Sequence, residues 1–180
     1  MKNKMRWWKK VLLAVAILIL LIIIIAIILF WRVIRTAASV DEAVELLSQY
    51  DLHASAGMMV HFAIADAAGR SVVVEYINNE MNVVETDIAT NFYLTEGEKY
   101  GIGTEESHIR YEILTALLQE QKAFTMDDIR DALNSVSKHN FNSPFASTEW
   151  SIVYNQQTGE ILYYHRENYD TGYSFRLDKK

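Results

Sequence analysis

The chain has 180 residues, with 17 Lys and Arg, 23 Asp and Glu, and no cysteine. The absence of cysteine excludes disulfides, thiolate metal ligands and a thiol nucleophile within this sequence. Five basic residues precede position 11, and the 12 basic and 23 acidic residues from Arg32 onward give a net charge of −11, which disfavours binding to nucleic acid.

Residues 11–31 form an uninterrupted apolar run. As a helix this run is about 31 Å long, close to the hydrocarbon thickness of a bilayer. Trp7, Trp8 and Trp31 lie near its ends, where amphipathic rings favour the membrane interface. The run therefore predicts a single transmembrane helix, with the lipid bilayer as a partner of the chain.

The excess of basic residues before the apolar run predicts the orientation. By the positive-inside rule, residues 1–10 form a cytoplasmic tail, and residues 32–180 form an extracytoplasmic domain at the cell membrane. A cleaved signal peptide is the alternative, because residues 36–39 are small enough for a cleavage site. The apolar core of a signal peptide is usually shorter than this run.

After the apolar run, helical and strand patterns come in separate blocks. Ser39, Asp41 and Glu42 form a capping-box pattern that predicts a helix over residues 40–49. Apolar patterns and turn residues predict strands at 58–65, 71–77, 81–86, 149–155, 160–166 and 173–177, a candidate strand at 87–93, and helices at 105–121 and after Thr125. The closely spaced strands indicate antiparallel meanders, and the segregation of elements predicts an α+β fold with helices on one face of an antiparallel sheet.

Two polar residues are candidates for a binding or catalytic site. Asn91 follows a strand pattern, and its amide can donate to a developing oxyanion; the alternative is an asparagine that satisfies a strand-end turn. Arg110 lies in the first turns of a helix and can bind a carboxylate with two hydrogen bonds; the alternative is an ion pair with Glu106. In both cases the residue pattern alone favours the alternative.

The histidines give no metal signature. They have neither the spacing of known metal motifs nor thiolate companions, so the sequence predicts no metal site and no cofactor. The five positions are His53, His61, His108, His139 and His165.

Several short segments occur in an order and spacing that belong to the second half of a known family. They are residues 39–43, 61–66, 74–76, 90–92, 107–110, 150–155 and 163–164. Together they resemble the linear amide C–N hydrolases, the choloylglycine hydrolase and penicillin acyltransferase-like group of N-terminal-nucleophile hydrolases. The resemblance extends over roughly residues 33–177.

The resemblance implies an αββα sandwich, here a partial one, and hydrolysis of a non-peptide amide bond or acyl transfer. In that family an N-terminal cysteine attacks the amide, and its own α-amino group serves as the base. Asn91 matches the asparagine of the family's TN motif, and Arg110 matches its helix arginine, so the resemblance implies roles in oxyanion stabilisation and substrate positioning. The family's first half, with the cysteine, has no match here.

These observations leave three functions open, and they leave open whether the chain is an enzyme. The first is a membrane-anchored, truncated hydrolase homologue that is inactive alone. The second is one chain of a split amide hydrolase, completed by a cysteine-bearing partner. The third is an extracytoplasmic, non-enzymatic binding or scaffold module. The partners expected besides the bilayer are a cysteine-bearing first-half chain or a second copy of this chain.

Overall fold

A computed structural model describes residues 2–50, 60–120, 123–142 and 146–177. The chain divides into two compact units, Met1–Asp51 and Leu52–Lys180. The described residues form four helices and six strands. These are α1 Lys2–Thr36, α2 Val40–Ser48, β1 His61–Ala65, β2 Ser71–Ile77, β3 Glu80–Glu85, α3 Glu105–Glu120, α4 Met126–Ser135, β4 Trp150–Asn155, β5 Glu160–His165 and β6 Tyr173–Arg176.

The first unit consists of the helices α1 and α2. Within α1, the 19-residue segment Trp7–Ile25 is long and apolar enough to cross a membrane, because about 20 apolar residues in a helix match the bilayer core. This candidate span overlaps the predicted segment 11–31.

A side-chain cap explains where α2 begins. Ser39 Oγ accepts a hydrogen bond from the backbone N–H of Glu42 at 3.2 Å, which satisfies one of the free donors in the first turn. The Glu42 carboxylate accepts from the N–H of Ala38 at 2.7 Å. The serine half of the predicted capping box is therefore confirmed, while the carboxylate binds one residue before the N-cap.

The second unit begins with an antiparallel sheet in the order β1-β2-β3. Six of the seven residues in the central strand β2 are buried, as its continuous valines predict for a strand covered on both faces. Asn78 and Asn79 join β2 to β3 with φ angles of 55° and 64°, the left-handed conformation that a two-residue hairpin turn requires. The predicted meander is confirmed.

The candidate strand at 87–93 was predicted wrongly. In this segment the structure has one isolated bridge, between Phe92 and Gly103. Thr86 Oγ1 accepts from the N–H of Ile88 at 3.1 Å, and the N–H of Phe92 donates to the carbonyl of Thr90 at 3.0 Å. These local bonds compete with strand pairing and turn the chain instead.

Helices α3 and α4 follow. In α3 the buried residue is Ser107, whereas Ile109, one of the apolar residues at helical spacing, is 49% exposed. At the start of α4, Thr125 and Asp128 form a complete capping box, which confirms the predicted cap and stabilises such a helix by about 1 kcal/mol.

Strands β4, β5 and β6 form a second antiparallel sheet in that order. One face carries a core of Val153, Tyr164 and Tyr169, against which Met126, Ile129 and Leu133 of α4 pack. The three predicted strands and the packing of a helix on antiparallel sheet are confirmed, and the unit has an α+β fold.

Candidate functional site

The structure brings the two predicted site residues together. Arg110 Nη2 donates to Asn91 Oδ1 at 2.9 Å and to Ser107 Oγ at 3.3 Å. Arg110 Nε donates to the backbone carbonyl of Glu106 at 3.3 Å. The arginine therefore connects the first turns of α3 to the segment that follows β3.

The carboxylate of Glu106 has a different partner from the predicted one. Lys138 Nζ lies 2.6 Å from Glu106 Oε2. This hydrogen bond, and then the positive charge of Lys138, lower the pKa of Glu106 below its ordinary value. The ion pair of Glu106 is thus formed with lysine, and the side chain of Arg110 contacts Asn91.

Buried neighbours hold Asn91 in place. Asn91 is exposed, but Thr90 and Phe92 on either side of it are buried. Thr90 Oγ1 donates to the carbonyl of Ser107 at 3.0 Å, and the Phe92 ring stacks on His108 with 4.1 Å between centroids. The exposed amide of Asn91 therefore lies between two residues, Thr90 and Phe92, that both contact α3.

A buried carboxylate on the sheet, that of Glu75 in β2, binds the same segment through hydrogen bonds. Glu75 is fully buried. Its Oε1 accepts from the N–H of Leu94 at 2.8 Å. Its Oε2 accepts from the N–H of Thr95 at 2.8 Å and from the Thr95 hydroxyl at 2.6 Å. A buried carboxylate needs such donors, because removal from water without them costs several kcal/mol.

His61 is a further hydrogen-bond partner of the Glu75 carboxylate, besides the three donor groups of Leu94 and Thr95. In the β1–β2 ladder His61 lies directly opposite Glu75, and its Nδ1 is 3.3 Å from Glu75 Oε1. Neither His61 nor Glu75 is among the candidate site residues predicted from the sequence. A signal was present, since Glu75 is the one charged residue in the predicted, apolar strand 71–77 and charged residues are rarely buried without partners.

A cavity of about 270 Å³ lies beside His61 and Asn91. It is lined by Val60, His61, Asn91, Phe92 and Tyr93. The side chain of His61 is 21% exposed, with Nδ1 directed to Glu75. Besides Tyr93 with its hydroxyl, the cavity therefore has two polar residues, with an imidazole and an amide, among apolar neighbours.

The other described histidines have separate local partners. His108 Nε2 bonds to the carbonyl of Gly101 at 2.9 Å, and His139 Nδ1 pairs with Glu167 at 2.6 Å. His53 lies outside the described residues. Among the described residues, no group of three or more His, Asp or Glu side chains could hold a metal ion.

Comparison with known proteins identifies the class. The family model described as acyl-coenzyme A:6-aminopenicillanic acid acyl-transferase matches residues 24–168. The chain therefore belongs to this acyl-transferase family, which confirms the resemblance read from its sequence segments.

One solved structure supports the same fold. A mutant of the conjugated bile acid hydrolase from Clostridium perfringens superposes with a TM-score of 0.53 at 16% identity, covering 79% of this chain. The chain spans 59% of the length of that hydrolase. No curated protein matches this chain.

Proposed function

We propose that this chain is a membrane-anchored homologue of the family's acyl-transferases and amide hydrolases that binds the acyl substrate but does not turn it over alone. The contact between Asn91 and Arg110 carries this proposal, because it joins the two residues matched to the family's site beside a cavity that Asn91 lines. The 180-residue sequence contains no cysteine, and loss of the nucleophile removes the covalent route.

The two residues have distinct roles in this proposal. Asn91 Oδ1 is occupied by the Arg110 guanidinium, so the Asn91 Nδ2 hydrogens are left to donate to an acyl oxygen. Arg110 orients the side-chain amide of Asn91 and adds a positive charge near the acyl oxygen that this amide polarises. Such a site stabilises an oxyanion, but it supplies no group that attacks the carbonyl carbon.

Turnover by the full chain in detergent micelles tests the proposal. The substrates are those that the names of the relatives give: a conjugated bile acid, and an acyl-coenzyme A with 6-aminopenicillanic acid. We expect no reaction above the buffer rate. Turnover that Asn91→Ala abolishes would contradict the proposal, provided that Asn82→Ala, an asparagine variant on β3, keeps the wild-type rate.

The membrane location is part of the proposal and has its own test. The apolar segment of α1 and the basic residues before it support a single span with the domain outside. The full chain should stay in the membrane pellet after alkaline carbonate extraction. Protease added to intact spheroplasts should digest residues 32–180. Release by carbonate, or protection from the protease, would contradict the proposed location or orientation.

A second candidate function, one chain of a split enzyme, is favoured by the outer face of the β4–β6 sheet. Along β4, the exposed Trp150, Ile152 and Tyr154 alternate with the buried Ser151 and Val153. The ladder places further apolar side chains beside them on the same face: Ile161, Tyr163, Tyr173 and Phe175.

Among the described residues of β4, β5 and β6, His165 is the one acidic or basic residue on this outer face, although residues 32–180 carry a net charge of −11. Exposed apolar patches of this kind mark interaction sites, and sheets commonly pack face to face about 10 Å apart. The occupant that we propose is a sheet of a cysteine-bearing chain. That chain would supply both the nucleophile and the missing cover.

Co-expression with a cysteine-bearing first half from a member of the family tests the split enzyme. We expect a complex whose turnover needs both the partner's cysteine and Asn91. Ile152→Glu should prevent the complex, because it places a charge on the outer face. Val83→Glu, at an exposed site on the other sheet, should not. Failure to form a complex, or a complex insensitive to Ile152→Glu, would contradict this reasoning.

A further inference from the structure

The hydrogen bonds of Glu75 favour a proton on Nδ1 of His61. Among the described residues, the other groups that hydrogen-bond to the carboxylate are donors: the backbone N–H groups of Leu94 and Thr95 and the Thr95 hydroxyl. The Glu75 oxygens therefore act as acceptors, and Nδ1–H of His61 donates to Oε1. When His61 is neutral in this tautomer, its second ring nitrogen, Nε2, is an acceptor.

The hydrogen bond from Arg110 determines the orientation of Asn91 in the same way. Because Oδ1 accepts from the guanidinium, the NH₂ group of Asn91 is the part of the amide that remains available as a donor. His61 and Asn91 line the same cavity. Apart from Tyr93 with its hydroxyl, the cavity is therefore lined by one residue that has a free acceptor, His61 with Nε2, and one that has a free donor, Asn91 with Nδ2.

We propose that His61 is a specificity-determining residue that accepts a hydrogen bond from the N–H of a secondary amide bound in this cavity. Asn91 Nδ2 donates to the carbonyl oxygen of the same amide. The inference rests on the proposed function for the ligand being an acyl compound. It adds that the cavity distinguishes a secondary amide from an ester, a property that Asn91 and Arg110 alone do not provide.

The geometry of a planar amide fits this arrangement. In a trans amide the N–H and C=O groups point in opposite directions. A site for both therefore has its acceptor and its donor on opposite sides of the bound amide. His61 lies on β1, and Asn91 lies in the segment after β3. The aromatic residues Phe92 and Tyr93 supply apolar surface for the chains on either side of the amide.

An ester or a tertiary amide lacks the N–H and leaves Nε2 of His61 without a partner. A net hydrogen bond of this kind is worth about a fivefold change in affinity. The probes are three small matched compounds: N-propylbutanamide, propyl butanoate and N-methyl-N-propylbutanamide. Their dissociation constants are measured by NMR titration with the full chain in detergent micelles.

We expect the secondary amide to bind about fivefold more tightly than the ester and the tertiary amide. His61→Phe should remove this preference, and His61→Gln, which keeps an acceptor oxygen, should restore part of it. His165→Phe, a histidine replacement on the other sheet, should leave the preference unchanged. In the wild-type chain, the ¹⁵N resonance of His61 Nε2 should shift with the secondary amide and not with the ester.

Equal affinity of the wild-type chain for all three compounds would overturn the proposal, as would binding of none. A preference that persists in His61→Phe, or an Nε2 resonance that does not move, would also overturn it. These measurements are at equilibrium, so they are separate from the test of the proposed function. Turnover by the chain alone would contradict that function while leaving the discrimination intact.

Discussion

Replacement of Glu75 by glutamine tests how strongly the buried carboxylate stabilises the segment that carries Asn91. The side chain keeps its size, but one acceptor oxygen becomes an NH₂ donor. In the native structure each carboxylate oxygen accepts one backbone N–H, from Leu94 or from Thr95. The ring of His61 can change its tautomer and the Thr95 hydroxyl can rotate, but a backbone N–H cannot become an acceptor. Either orientation of the new side-chain amide thus leaves one buried N–H facing another donor.

The expected loss of stability follows from these contacts. A buried donor without a partner costs about 1–3 kcal/mol. The bonds to the remaining oxygen lose the assistance of the charge, which costs about another 1 kcal/mol. We therefore expect Glu75→Gln to lower the free energy of unfolding by about 3 kcal/mol. For a unit of this size this corresponds to a fall in melting temperature of about 10 °C.

Thermal unfolding of the full chain in micelles, followed by circular dichroism, measures this change. Glu80→Gln is the matched control, because Glu80 is exposed at the start of β3 and its replacement should change stability by less than about 0.5 kcal/mol. Hydrogen exchange at the amides of Leu94 and Thr95 should become faster in Glu75→Gln. A variant that melts within error of the wild-type chain, with protection of these amides retained, would refute the reasoning.

Three further substitutions test the packing, the helix cap and the surface charge. A Cβ at Gly103 would lie 2.4 Å from the Cβ of Phe92, so Gly103→Ala should destabilise the chain by about 2 kcal/mol, measured by denaturant unfolding. Thr125→Ala removes the N-cap of α4 and should cost about 1 kcal/mol in the same assay. Lys138 lowers the pKa of Glu106 in the folded chain. The ion pair therefore stabilises the fold at pH values above the ordinary pKa of glutamate, and this stabilisation is lost as the pH falls through the lowered pKa of Glu106. Lys138→Met should raise the pKa of Glu106 toward its ordinary value in an NMR titration; an unchanged pKa would contradict this.

The elements that the sequence predicted correctly are those whose patterns depend on their own residues. The valines of β2 and the alternation in β4 reflect burial on one or both faces, and Thr125 caps its helix through bonds within a single turn. The segment 87–93 has apolar residues as well, but bonds made by the Thr86 side chain turn the chain there. Such competition between a side chain and a strand ladder is not visible in hydrophobic periodicity.

The site was predictable in its separate parts but not in its contacts. Asn91 and Arg110 each stood out by position and residue type, yet nothing in their patterns indicated that they bond to each other. Their contact depends on the stacking of Phe92 on α3, which tertiary packing determines. Glu75 had a readable signal as a charge in an apolar strand, whereas its pairing with His61 depends on the register of β1 against β2.

The pairing of His61 with Glu75 favours the native register of the β1–β2 hairpin over a slipped register. A slip of β1 by one residue would turn His61 to the opposite side of the sheet and place Phe62 against the Glu75 carboxylate, since successive side chains of a strand point to opposite faces. An aromatic ring offers no donor to a buried charge, so the slipped pairing is disfavoured by about 1–3 kcal/mol. A short strand with two alanines, His61–Ala65, has little apolar bulk to select its own alignment. The Glu75 carboxylate, which binds His61 beside the cavity, thus also disfavours the misaligned hairpin before any ligand is bound.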